Sequence, residues 1–197
     1  MKPNHLLGTA LLATLLALSG CKDAVENSPT PSVAPAATVS IPAIATEAKG
    51  FTVGSTMSVR TVYVFFDPQC PHCTALWESA KPLKSQTKFV WIPVALISGA
   101  SVSQGAAILA AADPAAAMDE HEKSMREKKG GITASGNLDA QKAVIESNTK
   151  LLNRFKFGSV PTIVAKHAVS GNLVVQEGSL PTAALANLLG LQQPAGS

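Results

Sequence analysis

The run Thr61-Val62-Tyr63-Val64-Phe65-Phe66 stops at Asp67-Pro68 and, after one glutamine, gives way to Cys70-Pro71-His72-Cys73. Six consecutive β-branched or aromatic residues are the pattern of a strand covered on both faces. Asp67-Pro68 ends it, because the residue before a proline is steered away from regular helix; Asp67 could tune the site or shuttle a proton, but an aspartate there more often caps a turn. Pro71 then suits the first turn of a helix, where its missing N–H costs nothing. The helix is expected to begin at Cys70 and run to about Ser85. A buried strand feeding a helix that opens on two cysteines one turn apart requires sheet neighbours on both edges and packed layers on both faces.

The rest of the chain supplies them. Phe89 to Leu96 reads as a second buried strand by the same criteria. Ser101 to Ala112 and Pro114 to Lys128 read as two alanine-rich helices, with Asp113 placed to cap the second. Its stretch from Asp119 to Lys129 alternates in charge as a solvated face does, and His121 and His167 are expected at the surface. Gly130-Gly131 breaks the pattern, and a third helix follows over Leu138 to Phe155. Val160 to Lys166 and Leu173 to Gln176 form a hairpin around Ser170-Gly171-Asn172, and a final helix begins near Pro181. Strand, helix, strand, helical block, hairpin and helix is an α/β order of thioredoxin-like type with a helical insertion. Trp77 and Trp91 are assigned to packing.

Disulfide exchange needs one cysteine that is a thiolate at working pH and a second close enough to resolve a mixed disulfide. Cys70 at a helix N-terminus faces unpaired N–H groups and the positive end of the helix dipole, and His72 can add positive charge. Cys73, one turn further in, is expected to be the more buried, resolving thiol. A structural disulfide or half of a metal site would also use a CxxC. The scattered His72, His121 and His167 do not give a zinc-knuckle spacing, so no metal is expected. Val160-Pro161, just before the late hairpin, is placed to form a cis-proline loop beside the cysteines. Cys70 and Cys73 are thus the expected reacting pair, with Pro71, His72, Val160 and Pro161 in support and no cofactor beyond their disulfide.

The first twenty residues carry Lys2, His5 and an apolar run from Leu6 to Leu18, the layout of a signal peptide. Leu18-Ser19-Gly20-Cys21 looks like a bacterial lipobox, implying cleavage before Cys21 and its lipidation. Lys22 follows instead of the aspartate that often retains lipoproteins in the inner membrane, which weakly favours the outer one. Residues 21–50 are rich in Pro, Ala, Ser and Thr and are expected to form a disordered tether ahead of a catalytic domain over 51–192. One of the three cysteines is thereby assigned to lipid and two to redox chemistry. The chain carries 16 Lys+Arg, one of them Lys2, against 13 Asp+Glu, so the part from Cys21 onward holds +2. That is too little to argue for nucleic acid.

Tyr63 to Cys73, followed by Leu76-Trp77, Lys81-Pro82, Ala106-Ala107-Ile108-Leu109-Ala110 and Asp113-Pro114, resembles the periplasmic DsbC/DsbG disulfide isomerase family, on its DsbG side. The resemblance covers roughly Arg60 to Gly190. It implies a thioredoxin-fold catalytic domain, thiols of exported proteins as substrates, and electron exchange with a membrane or periplasmic redox partner. It also implies a folded N-terminal dimerisation domain, for which residues 21–50 offer no pattern. Threonine is usual before the cis-proline of that family, whereas Val160 and the Pro71-His72 dipeptide resemble the oxidase DsbA. Val64, six residues before Cys70, is where DsbA and thioredoxin place a buried acid; the DsbG side lacks it too. Isomerase, reductase and oxidase all remain open, as does a non-catalytic lipoprotein adaptor in which Cys70–Cys73 is a static staple.

Overall fold

The structure, a computed structural model, describes residues 38–194. The proposed signal peptide, Cys21 and the tether as far as residue 37 lie outside them. A five-stranded sheet has the order β1-β3-β2-β4-β5, built from β1 (Phe51–Gly54), β2 (Thr61–Phe66), β3 (Lys88–Pro93), β4 (Thr162–Lys166) and β5 (Leu173–Glu177). β2 and β3 are parallel, and every other pairing is antiparallel. The helices are α1 (Ile41–Glu47), α2 (Pro71–Ala80), α3 (Gly99–Ala110), α4 (Pro114–Arg126), α5 (Asp139–Arg154) and α6 (Thr182–Leu189). None of the described helices is long and apolar enough to cross a membrane.

The pleat of β2 decides how the layers form. Val62, Val64 and Phe66 point into one core with Leu76, Trp77, Trp91, Met118 and Leu185. Tyr63 and Phe65 point into the other, with Ile44, Ile92, Leu152, Phe155 and Phe157. A strand buried on both faces has no polar alternation, which is why its sequence is continuously apolar and aromatic. β4 divides its side chains in the same way, Ile163 and Ala165 to the first core and Val164 to the second.

The tether expectation fails from residue 38 onward. Ser40 caps α1 by accepting from Ala43 N at 3.3 Å, and Ile44 is fully buried in the second core. Asn148 of α5 pins the following turn, accepting from Lys49 N at 3.0 Å and donating to Lys49 O at 2.7 Å. A seven-residue helix is too short to show a period in a Pro/Ala-rich stretch, so one buried isoleucine and a partner on α5 decide it. β1 also escapes the sequence pattern, being four residues long and held by its pairing with β3.

Boundaries shift by small amounts elsewhere. α2 ends at Ala80 and not near Ser85, because Pro82 enters a 3-10 turn over Lys81–Leu83. β3 leaves the sheet at Pro93 and not Leu96; the N–H groups of Ala95, Leu96 and Ile97 go to Thr149 Oγ1 and Asp67 Oδ2. Asp113 caps α4 as expected, accepting from Ala116 N at 3.0 Å.

Candidate active site

The CxxC is held by what ends β2. Asp67 is fully buried; its Oδ1 accepts from Gln69 N at 2.8 Å, and its Oδ2 accepts from Leu96 N at 2.7 Å and Ile97 N at 3.0 Å. It is therefore a cap that fastens the loop before Cys70 to the loop after β3. Cys70 is the N-cap of α2, with Pro71 in the first turn, so the amides of the opening turn face its sulfur.

Both thiols are reduced. Cys70 is 5% exposed and Cys73 fully buried, the asymmetry expected of an attacking and a resolving thiol. The Cys73 thiol beside Cys70 draws its pKa down to about 6; the N–H groups of Cys73 and His72 and the charge of His72 act in the same direction, against burial. Burial pushes Cys73 well up, and the neighbouring Cys70 sulfur adds to this. His72 is exposed and Pro71 lies beside it on the rim.

Val160 and Pro161 arrive where they were expected. The Val160-Pro161 bond is cis, and the Val160 carbonyl accepts from Cys70 Sγ at 3.4 Å. Pro161 O accepts from Gly178 N at 2.8 Å, and Thr162 Oγ1 donates to Ser159 O at 2.6 Å, so both flanks of the peptide are tied down. Cys70, Cys73, Pro71, His72, Val160 and Pro161 thus form one site. His167 does not join it; its ring accepts from Val169 N and Ser170 N in the hairpin turn.

The insertion contributes residues that sequence reasoning placed in solvent. His121 is fully buried; its Nδ1 accepts from Ile132 N at 3.2 Å, leaving Nε2–H to donate to Pro68 O at 2.8 Å. Burial lowers its pKa, consistent with the neutral ring that this bonding needs. Gln69 Nε2 donates to Gln104 of α3 and, at 3.2 Å, to Gly130 O, while Gln104 Nε2 donates to Gly130 O at 2.7 Å. The loop ahead of Cys70 is thereby clamped to α3, α4 and the Gly130-Gly131 turn.

Glu122, one residue on, is also fully buried. Neither of its carboxylate oxygens has a hydrogen-bond partner, nor does the hydroxyl of Thr74, which directly follows Cys73. Burial raises its pKa to about 7, with the charge of Arg126 pulling the other way and Glu78 and Cys70 adding to the rise. The pattern that hid it is the sign alternation of α4. Met118, His121 and Glu122 share the buried face, and the two methionines at that spacing, Met118 and Met125, were the apolar signal available.

The thioredoxin-like domain family matches residues 54–193. Among curated proteins the chain is 31% identical over 134 residues to the thiol:disulfide interchange protein DsbG of Pseudomonas aeruginosa, covering 66% of this chain and 51% of that protein. It is 30% identical over 130 residues to the Escherichia coli protein of the same name, covering 65% and 51%. The chain therefore spans about half the length of the curated relatives it matches. Among solved structures, the catalytic domain of Proteus mirabilis ScsC superposes with a TM-score of 0.59 at 15% identity, over 75% of this chain and 91% of that one. A disulfide interchange protein from Neisseria gonorrhoeae gives 0.54 at 20% identity, over 72% and 94%. Both share the fold described above, and the chain belongs to the thioredoxin-like domain family.

Proposed function

We propose that this chain is a thiol–disulfide oxidoreductase acting on cysteines of exported proteins through Cys70 and Cys73. The observation that carries this is the pairing of a low-pKa thiol at the N-cap of α2 with a buried second thiol and the backbone carbonyl of Val160 against its sulfur. A structural disulfide needs none of these three.

In the reducing direction, the Cys70 thiolate attacks one sulfur of a client disulfide; that bond breaks, a mixed disulfide forms, and the client's other sulfur leaves as a thiolate that takes up a proton. Cys73 then loses its proton and attacks the Cys70 sulfur, forming the Cys70–Cys73 disulfide and releasing the second client thiol. Two electrons pass from the chain to the client, whose two sulfurs take up the proton lost by Cys73 and one from solvent. Running in reverse, the same steps donate a disulfide. Cys73 needs a proton acceptor in its buried position, and Glu122, with a pKa near 7, is suited to the role. A redox partner in the envelope resets the pair. Cys21 carries the lipid and holds the domain at a membrane, with the outer one weakly preferred.

The test is the reduction potential of the pair in the full chain, by equilibration with glutathione and thiol trapping. A thiolate stabilised to about 6 favours the reduced form, so the expected potential is more oxidising than about −250 mV. A value below about −300 mV marks a structural disulfide and would favour a non-catalytic adaptor.

A further inference from the structure

At the end of β2 opposite to the cysteines, three large apolar side chains stand in solvent: Met57 is 90% exposed, Val59 97% and Val169 84%. Two shallow grooves meet there at Arg60. Met57 and Val169 border one, and Ile41, Val59 and Lys166 the other. Single exposed apolar residues are ordinary on a protein surface, but a group gathered around one arginine is a patch.

The charge at this end has one sign. The segments that build it, residues 54–61, 84–88, 166–171 and 190–193, contain Arg60, Lys84, Lys88 and Lys166 and not one Asp or Glu. They are adjacent: Lys88 N donates to Arg60 O at 2.9 Å, Ser55 N to Lys84 O at 2.9 Å, and Gln86 Nε2 to Gln192 O at 2.8 Å. Within the described residues none of the four cations forms an ion pair. Ile41, which opens α1, lines the same groove as Val59, so the chain enters the described unit at this end, with 37 residues preceding it.

We propose that this end of the domain docks on an anionic lipid surface. Met57, Val59 and Val169 dip into the boundary between headgroups and acyl chains, and Arg60, Lys84, Lys88 and Lys166 lie over the phosphates. A peptide ligand would call for a cleft that encloses apolar side chains, whereas here they project outward. β2 is six residues long, so Cys70 stands about 20 Å farther from the surface and faces away from it. The surface is independent of the thiol chemistry and of any lipid on Cys21.

The test places a tryptophan at the patch. The chain has two tryptophans, and Trp77 and Trp91 are 3% and 1% exposed, so Val59→Trp supplies one exposed indole. The full-length variant is mixed with vesicles of phosphatidylglycerol and phosphatidylethanolamine, and with vesicles of phosphatidylcholine alone. The expected result is a blue shift and quenching by brominated acyl chains with the anionic vesicles, lost at high salt. Lys129→Trp, in the loop that Gly130 ties to Gln69 next to Cys70, shows neither. Arg60→Glu in the Val59→Trp background weakens partition at least about fivefold, because each cation near such a surface is worth a factor of that order. Equal shifts at both positions, or no shift at position 59, would overturn the proposal. So would a shift at position 59 that appears without vesicles and grows with protein concentration, which would assign the patch to a second copy of the chain.

Discussion

Cys70 Sγ lies 3.4 Å from the carbonyl oxygen of Val160, 90 positions along the chain. The low-pKa thiol and the cis-proline backbone are thus one contact apart, although neither segment says so alone. That contact, with the turn of amides at the start of α2, gives the site its polarity, Cys70 toward the rim and Cys73 behind it.

The first expected outcome concerns the thiolate. Alkylation of Cys70 in the reduced protein should rise with pH around a midpoint of about 6, against an ordinary value of 9.0. In Cys73→Ala the midpoint should move up, since the Cys73 thiol is the largest of the lowering causes. The pKa is depressed in the folded state, so the stability it confers on the reduced form is complete above about 9 and disappears as pH falls through about 6. Reduced protein should therefore lose stability over that interval on acidification, and oxidised protein should lack this component. Iodoacetamide kinetics and denaturant melts across pH measure both; a midpoint that stays where it is in the alanine variant would contradict the assigned cause.

Glu122 should leave the opposite signature. Its pKa is raised from 4.5 to about 7 by burial, so the folded state has its full stability below about 4.5 and loses it as pH rises through about 7. The difference corresponds to about 3 kcal/mol at high pH. Glu122→Gln, which cannot ionise, should flatten this slope and be the more stable protein at pH 8. Melts of the oxidised form, where Cys70 does not titrate, isolate the effect.

Gly130 and Gly131 share positive φ values of 86° and 90° but differ in surroundings. A Cβ on Gly131 would sit 2.7 Å from His121 Nδ1, and one on Gly130 would meet nothing within 4 Å. Gly130→Ala should cost about 1 kcal/mol from backbone strain alone. Gly131→Ala should cost at least about 2 kcal/mol, because it also displaces the ring that holds Pro68 O. Equal losses in urea unfolding would show that His121 yields freely.

Removing the Asp67 carboxylate strands three N–H groups, those of Gln69, Leu96 and Ile97. Asp67→Ala should destabilise by about 2–4 kcal/mol. It should also speed hydrogen exchange at Leu96 and Ile97, which amide exchange read by NMR would detect.

Ile44→Ala tests the helix that composition concealed. A fully buried isoleucine truncated to alanine costs about 2–5 kcal/mol, whereas a residue in a free tether would cost nothing measurable.

Much of this molecule was legible in local pattern. β2, the start of α2 at a cysteine with proline behind it, and the Asp113 cap all follow from neighbours in sequence, because strand burial, φ restriction and capping act over a few residues. Val160-Pro161 was placed by its position ahead of a hairpin. His121 and Glu122 were not legible: on a helix of alternating charge nothing local marks the face that turns inward, and Gln69 and Gln104 are unremarkable until the loop and α3 meet. α1 was lost in low complexity for the same reason.

The amino-acid sequence by itself determined that a cysteine pair sits where a buried strand becomes a helix, with Cys70 at the helix end, since propensity and helix-end electrostatics are properties of the segment. Only the tertiary structure decided which charged groups are taken out of water. Ionisation energies depend on burial and on partners brought from distant parts of the chain, and neither quantity is defined until the layers have packed.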